Sequence, residues 1–345
     1  MRKEVLFAIL AGITLGLILA FGVWRANLAL RSKNSSDSSQ NENKETSQST
    51  FGMTLGTPAD FEVVSESPLT ISGITQPNLL VTITSPKEDF VITSGSEGEF
   101  SQDIALSEGV NEILITAFDE GGTKIEKRVY VAYSTEFAKQ IEDSLPSPTE
   151  AEEETSTPAS DVREKVQEKV NEARRVPKFV MGSVTDKLAE TLEIRDFEGT
   201  IKQISLVPET TAFIKITKTK TEVKFTDLAI GDFIVAMGFQ NGNGVLEGKR
   251  ILITEEFEFS GREAIMGTVL SPKKAEFSLK SLNSGDELLV KDSKELTLLS
   301  QLTKDEEEIG FTDLEEGQQA ISLGVKDGAS FIARTVVLVA ESPSL

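Results

Sequence analysis

The 345-residue chain has no cysteine, no histidine, one tryptophan and two tyrosines. Without the first two, it can build no thiolate zinc site, no Cys-His or Ser-His-Asp nucleophile system and no imidazole metal ligand. Disulfides are excluded too, so domains working outside a cytoplasm must be held by packing alone. Basic residues are scarce: 35 Lys and Arg against 56 Asp and Glu leave a formal net charge of -21. Such a surface repels phosphate backbones, so nucleic acid is not an expected partner. A hydrolase using only carboxylates needs no histidine, but the near absence of Trp and Tyr removes the usual sugar-stacking platforms. No catalytic, cofactor-binding or metal residue is nominated, and the expectation is a protein that is not an enzyme and needs no cofactor.

Long apolar runs are also rare, with one exception. Residues 5–24 are uncharged, flanked by Arg2, Lys3 and Glu4 and by Arg25, and a run of about 20 residues matches a bilayer core. Trp24 beside Arg25 forms an interfacial anchor pair. The segment 1–31 is therefore expected to be an uncleaved single-pass membrane anchor. A cleaved signal peptide ending near Ala20-Phe21-Gly22 is the competing reading. Basic flanks are nearly balanced, so orientation rests on the long acidic remainder, which places the bulk outside the cytoplasm. Ala8, Gly12, Gly16 and Ala20 recur every fourth residue, a spacing that allows a homodimer through close helix packing, although plain membrane-helix composition is the favoured explanation.

Residues 32–60 are dominated by Ser, Asn, Gln and Thr and read as a flexible polar stalk. From 61 to 134 the texture changes to seven short alternating runs separated by Pro-Asn, Gly-Ser-Glu-Gly and Gly-Gly turns, the pattern of an antiparallel sandwich. In NEILITAFD, Ile113, Ile115 and Ala117 share one face of a half-buried strand. Asp119 in its Gly-rich turn reads as a backbone cap in preference to a calcium ligand. Residues 135–178 read as an acidic linker with short helices. Phe137, Ile141 and Leu145 form the stripe of one, stopped by Pro146 and Pro148. Asp161 and Glu164 would cap a second, with Val162, Val166, Val170 and Ala173 along one face.

The remainder is a duplication. FTDLAIGD at 225–232 returns as FTDLEEGQ at 311–318, and Met181-Gly182-Ser183-Val184 returns as Met266-Gly267-Thr268-Val269. A repeat of about 85 residues is too long for a solenoid unit and predicts two tandem β-barrels, 179–256 and 262–341. Within FTDL-x-x-G, Thr226 and Thr312 are expected to cap a helical turn, Gly231 and Gly317 to supply a left-handed exit, and Phe225, Leu228, Phe311 and Leu314 to plug the barrel. Lys215, Lys218, Lys220 and Lys224 read as guards of an exposed edge strand, with polyanion binding as the rival; only Phe213 and Phe225 could stack on bases. Ser271-Pro-Lys-Lys274 matches S-x-x-K by chance, in a turn between strands. Asp305–Glu308 reads as a solvated loop. The fold class expected overall is all-β: membrane helix, sandwich, linker and two small barrels.

Two stretches carry a family resemblance. Ile71-Ser72-Gly73, Pro77, Val81-Thr82-Ile83, Gly98-Glu99-Phe100, Glu108-Gly109-Val110-Asn111 and Ile115-Thr116-Ala117-Phe118-Asp119 with Gly121 resemble bacterial immunoglobulin-like modules. That resemblance implies display or spacing and no chemistry. Gly182, Val184, Asp227, Leu228, Gly231, Asp232, Gly238 and Lys249-Arg250-Ile251 resemble small OB-like barrel domains of bacterial exported proteins with no assigned activity. The second copy departs at Gln318, in place of Asp232, and at Arg334-Thr335-Val336, which argues against a function resting on Asp232. The functional expectation is a non-enzymatic, membrane-anchored envelope protein for scaffolding, adhesion or protein contact. Its partner is an envelope protein or glycan, with a glycan or small ligand in the barrels as the alternative.

Overall fold

The computed structural model describes residues 51–144 and 176–339, apart from positions 189, 208, 303–306 and 329. The expected anchor, with Ala8, Gly12, Gly16 and Ala20, lies outside the described residues, as do Leu145 and the Val162 to Ala173 stripe. Among the described residues no helix is long and apolar enough to cross a membrane. The described residues belong to one compact unit, and among them the fold is all-β with one helix.

Eight strands form the first module: β1 (Thr54–Thr57), β2 (Glu62–Val64), β3 (Leu69–Ile74), β4 (Leu80–Thr84), β5 (Asp89–Thr93), β6 (Glu99–Ile104), β7 (Gly109–Phe118) and β8 (Lys124–Tyr133). They pair as a three-stranded sheet, β1-β3-β6, facing a five-stranded sheet, β2-β8-β7-β4-β5, in which β2 runs parallel to β8. The chain thus crosses from one sheet to the other between β1 and β2. Alternate residues Val81, Ile83, Ile113, Ile115, Val129 and Val131 meet Ile71, Phe100 and Ile104 between the sheets, each side chain worth about 1.5–3 kcal/mol of burial. Phe51 and Met53 join that core at 6% and 5% exposure. The expected stalk therefore ends before Phe51: two apolar side chains and a strand that pairs with β3 belong to the sandwich.

Helix α1 (Thr135–Ser144) follows β8, with the Ser134 hydroxyl accepting the Phe137 N–H at 3.2 Å as its cap. The expected Phe137 and Ile141 stripe is there, but it is no spacer, because Phe137 is 2% exposed and packed between modules.

The second module comprises β9 (Lys178–Leu188), β10 (Thr191–Arg195), β11 (Ile201–Leu206), β12 (Ala212–Ile216), β13 (Lys220–Val223), β14 (Phe233–Gln240) and β15 (Leu246–Thr254). Five close into a ring, β9-β10-β11-β15-β14 and back to β9, with β11 parallel to β15. The β12-β13 hairpin attaches outside, through a parallel pairing of β12 with the later half of β15. The third module repeats this with β16 (Arg262–Lys273), β17 (Glu276–Ser281), β18 (Glu287–Lys291), β19 (Thr297–Gln301), β20 (Glu307–Glu308), β21 (Gln319–Asp327) and β22 (Ser330–Val339). Each ring encloses its own core, around Ile194, Ile204 and Ile251 in one and Leu279, Val290 and Val336 in the other. Ser271 lies at the irregular end of β16 in place of the expected turn, and is exposed.

Candidate functional site

The duplicated turn comes first, because it was the sharpest motif. Phe225–Asp227 and Phe311–Asp313 each form one 3-10 turn. Its cap is the aspartate and not the threonine: Asp227 Oδ2 accepts the Lys224 N–H at 2.9 Å, and Asp313 Oδ2 accepts the Gly310 N–H at 2.8 Å. A short carboxylate reaches back three residues, where the Thr226 and Thr312 side chains face solvent. Asp232 Oδ2 accepts the Ala229 N–H at 2.8 Å, and Gln318 Oε1 accepts the Glu315 N–H at the same distance. Asp232 and Gln318, though different in kind, therefore do the same backbone work in the two copies.

Gly231 and Gly317 both sit at φ 95, as expected of the exit position. Their N–H groups donate to Val184 and Val269 carbonyls at 2.9 Å, stitching the turn to β9 and β16. A β-carbon there would meet open space, so only the backbone conformation resists substitution. Gly317→Ala is expected to cost about 1–2 kcal/mol in urea unfolding, while Glu316→Ala next to it changes stability by less than about 0.5 kcal/mol.

Larger consequences come from the barrel exteriors. Phe179, Met181, Val235, Met237 and Leu252 point out of the first barrel into a core shared with Val63, Tyr130, Ala132 and Phe137. Ala264, Met266, Ile321, Leu323 and Val337 point out of the second into a core shared with Val91 and Phe118. These two quintets occupy the same positions: Met181 faces Val235 across β9 and β14 as Met266 faces Ile321 across β16 and β21. Both barrels thus dock by one repeated face onto the outer side of the five-stranded sheet, which is buried on both sides; Thr82, Leu114, Thr116 and Phe118 are at most 2% exposed.

Polar contacts fix each docking. The Val63 N–H donates to the Pro177 carbonyl and the Phe179 N–H to the Phe61 carbonyl, both at 2.9 Å, so the sandwich sheet runs into the first barrel. At the second barrel, Arg334 straddles Asp89, with Nε to Oδ2 at 2.7 Å and Nη2 to Oδ1, while Thr335 Oγ1 donates to the same carboxylate at 2.8 Å. In the first barrel the ion pair is made from a different position: Arg250, which matches Thr335 and not Arg334, pairs with Glu136 of α1. Departure of the second copy from Lys-Arg-Ile follows from its different partner on the sandwich.

Of the four lysines, Lys215, Lys218 and Lys224 are exposed around the edge strand β13. Lys220 instead bridges to Glu108 and, at 3.4 Å, to Glu136, and its bond to Glu108 raises its pKa. Phe213 and Phe225 pack against each other, tilted, with ring centroids 5.6 Å apart. Asp119 is the expected cap, its Oδ1 accepting the Thr123 N–H at 2.8 Å. Glu307 and Glu308, the described part of the acidic run, are exposed but paired with β19.

Sequence reading missed one aromatic assembly. Phe61, Tyr130, Phe197, Phe257 and Phe259 come from the sandwich, the β10-β11 turn and the segment between the barrels. Their ring centroids lie 5.1–6.3 Å apart, a spacing at which aromatic pairs attract. Phe197 and Phe259 remain 42% and 45% exposed, and neighbouring Ile201 47%. Beside them opens a cleft of about 460 Å3 walled by Phe61, Phe197, Ile201, Gln203 and Gln240. Burial pushes the Lys178 ammonium at its rim below the ordinary lysine value. Among the described residues no three acidic side chains converge as a metal ion requires.

Burial pushes the Tyr130 phenol above its ordinary value, and the Glu112 carboxylate adds in the same direction. The folded protein holds that proton more tightly than the unfolded chain does. Stability is therefore full below the ordinary pKa of about 10 and falls as pH rises through the raised value. Absorbance titration in a Tyr133→Phe background is expected to show Tyr130 ionising above that of a free tyrosine, with unfolding accelerating over the same window.

No family model matches the chain, and no curated protein matches it. Two solved structures show limited likeness. One is from work on host cell surface retention of a 1.5-MDa bacterial ice-binding adhesin, at 13% identity and TM-score 0.18, covering 84% of this chain and 97% of that one. The other is a Ca2+-stabilised adhesin with which an Antarctic bacterium binds ice, at 14% identity and TM-score 0.18, covering 85% and 75%. TM-scores of this size fall below those of a shared fold.

Proposed function

We propose that this protein is a non-enzymatic envelope protein, held at the outer face of a cell membrane by residues 5–24, that docks a macromolecular partner on a rigid β-body. The observation that carries this reading is the exposure of Phe197, Ile201 and Phe259 together on a braced support. Large apolar side chains grouped at the surface mark contact sites, and here rings behind them hold the patch in place. Parallel pairing of β2 with β8 and the β1-to-β2 sheet crossing support the immunoglobulin-like reading of the sandwich. The ring order first-second-third-fifth-fourth supports the OB-like reading of both barrels. A photo-crosslinking residue at position 197 in native membranes is expected to yield a discrete protein adduct; recovery of uncrosslinked chain alone would sink the proposal. Protease added outside intact cells is expected to digest the β-body, and full protection would overturn the orientation.

A second reading is favoured by the cleft itself. Its volume of about 460 Å3 is that of a small-ligand site, and the Gln203 and Gln240 amides beside Phe61 and Phe197 are suited to a cell-wall glycan fragment.

A further inference from the structure

Three turns of this chain share one plan. Asp119, Asp196 and Asn241 each donate their N–H to a carbonyl four positions on, at 2.9–3.0 Å, and accept at their own carbonyl a glycine N–H three positions on, at 3.0 Å. Those glycines, Gly122, Gly199 and Gly244, sit at φ 77, 81 and 77. In each turn the side-chain Oδ1 accepts the N–H of the residue after the glycine, at 2.8–3.1 Å. Two of the turns use a carboxylate, and the third, between β14 and β15, uses an amide. The second barrel carries the acid: counted from the matching Gly238 and Gly324, Asp327-Gly328 stands where the first has Asn241-Gly242.

The Asn241 amide is placed to lose its nitrogen. When glycine follows asparagine, its backbone nitrogen reaches the side-chain carbonyl carbon most freely, because no β-carbon crowds the approach. The stretch QNGNG holds two such pairs, and the fold treats them differently. The Gly244 N–H is committed to the Asn241 carbonyl, whereas the Gly242 N–H donates to no acceptor among the described residues. Asn241 Oδ1 receives the Asn243 and Val245 N–H groups at 3.0 and 3.1 Å. Two donors on that oxygen stabilise the negative charge it gains when its carbon is attacked. Gly242 and Asn243 are exposed, so water reaches the turn.

We infer that Asn241 is a self-modification site, converted to aspartate through a cyclic imide without an enzyme. The Gly242 nitrogen attacks Asn241 Cγ; the new C–N bond closes a succinimide ring, and the side-chain nitrogen leaves as ammonia, taking the Gly242 proton. Water then opens the imide. Opening at Cγ gives aspartate in an unaltered main chain, and opening at the Asn241 backbone carbonyl gives isoaspartate, whose extra main-chain carbon disrupts the turn. The aspartate product keeps the turn, because Asp119 and Asp196 already do this work with a carboxylate. Its charge arrives between Gln240 and Gly244, in the wall of the cleft that also holds Asp196 and Glu198. The modified cleft is more acidic and disfavours anionic ligands.

The test incubates the full-length chain in detergent in warm, mildly alkaline buffer and follows each asparagine by peptide mass mapping, with electron-transfer fragments separating aspartate from isoaspartate. Asn241 is expected to convert at least about fivefold faster than Asn243, the factor set by freeing one hydrogen-bonded N–H. In denatured chain, where the turn is lost, the two should convert at similar rates. Gly242→Ala changes a position that holds Glu120 and Phe197 in the other two turns, so the fold accepts it; conversion at Asn241 should slow while Asn243 continues. Asn241→Asp, the product itself, should keep the parent's urea midpoint. Equal or faster conversion at Asn243 in the folded chain would overturn the inference, as would Asn241 remaining intact after the denatured chain has converted. A lowered midpoint for Asn241→Asp would overturn the assignment of aspartate as a product that the turn retains.

Discussion

Replacing Phe179 by alanine should lower the stability of the body by about 4 kcal/mol, the usual cost of deleting a buried aromatic ring. Phe179 is 1% exposed although it points out of its barrel, because it is wedged against Phe61, 5.3 Å away edge to face, and the other apolar residues of the junction. The measurement is urea unfolding followed by far-ultraviolet and tyrosine signals. If the barrel were only tethered to the sandwich, the loss would be about 1 kcal/mol or less, as for an exposed side chain. At this junction both sides supply rings, Phe179 from the barrel and Phe61 and Tyr130 from the sandwich. At the other, the matching barrel residue is Ala264 and the sandwich supplies Phe118 to the shared cluster, so the cavity left by Phe118→Leu would open on the opposite partner.

Asp89→Ala is expected to cost about 3 kcal/mol, the lower end for breaking a buried ion pair. The Asp89 side chain is 1% exposed and receives both Arg334 and Thr335. Without it, Arg334 keeps only the Ser85 and Pro86 carbonyls, at 2.8 and 3.0 Å. The double replacement Asp89→Leu with Arg334→Met should recover most of the loss, since apolar pairs of similar volume often match buried ion pairs. Failure of the double variant to improve on the single one would show that Asp89 acts through Thr335 or the β5 backbone instead of through the ion pair.

Local patterns carried the elements. Alternation in NEILITAFD placed Ile113, Ile115 and Ala117 inward, and the FTDL duplication located both barrels and the glycine exits. The docking was written more faintly. Leu114, Thr116 and Phe118 fill the other face of the same strand, making it a nearly continuous buried run, as are FIVAMGF in β14 and RTVVLV in β22. Such runs announce burial on two sides without naming the neighbour, and Thr82 and Thr116 read as polar although each is fully buried. Phe51 and Met53 were lost among serines and glutamines. The aromatic assembly draws on positions from Phe61 to Phe259, and no local window contains it. Lys220 looked like an edge guard because its partners, Glu108 and Glu136, lie in another module.

The sheet that runs from β2 into β9 also bears on how the chain is cut. Backbone hydrogen bonds of Pro177 and Phe179, on either side of Lys178, tie residues just after the linker directly to Val63 and Phe61, while α1, just before it, packs into the same junction. Both ends of the linker are therefore held by the body. A protease nick between 144 and 176 is expected to leave two fragments that stay associated and co-elute until denaturant separates them, so the body behaves as a two-part assembly joined through a shared core.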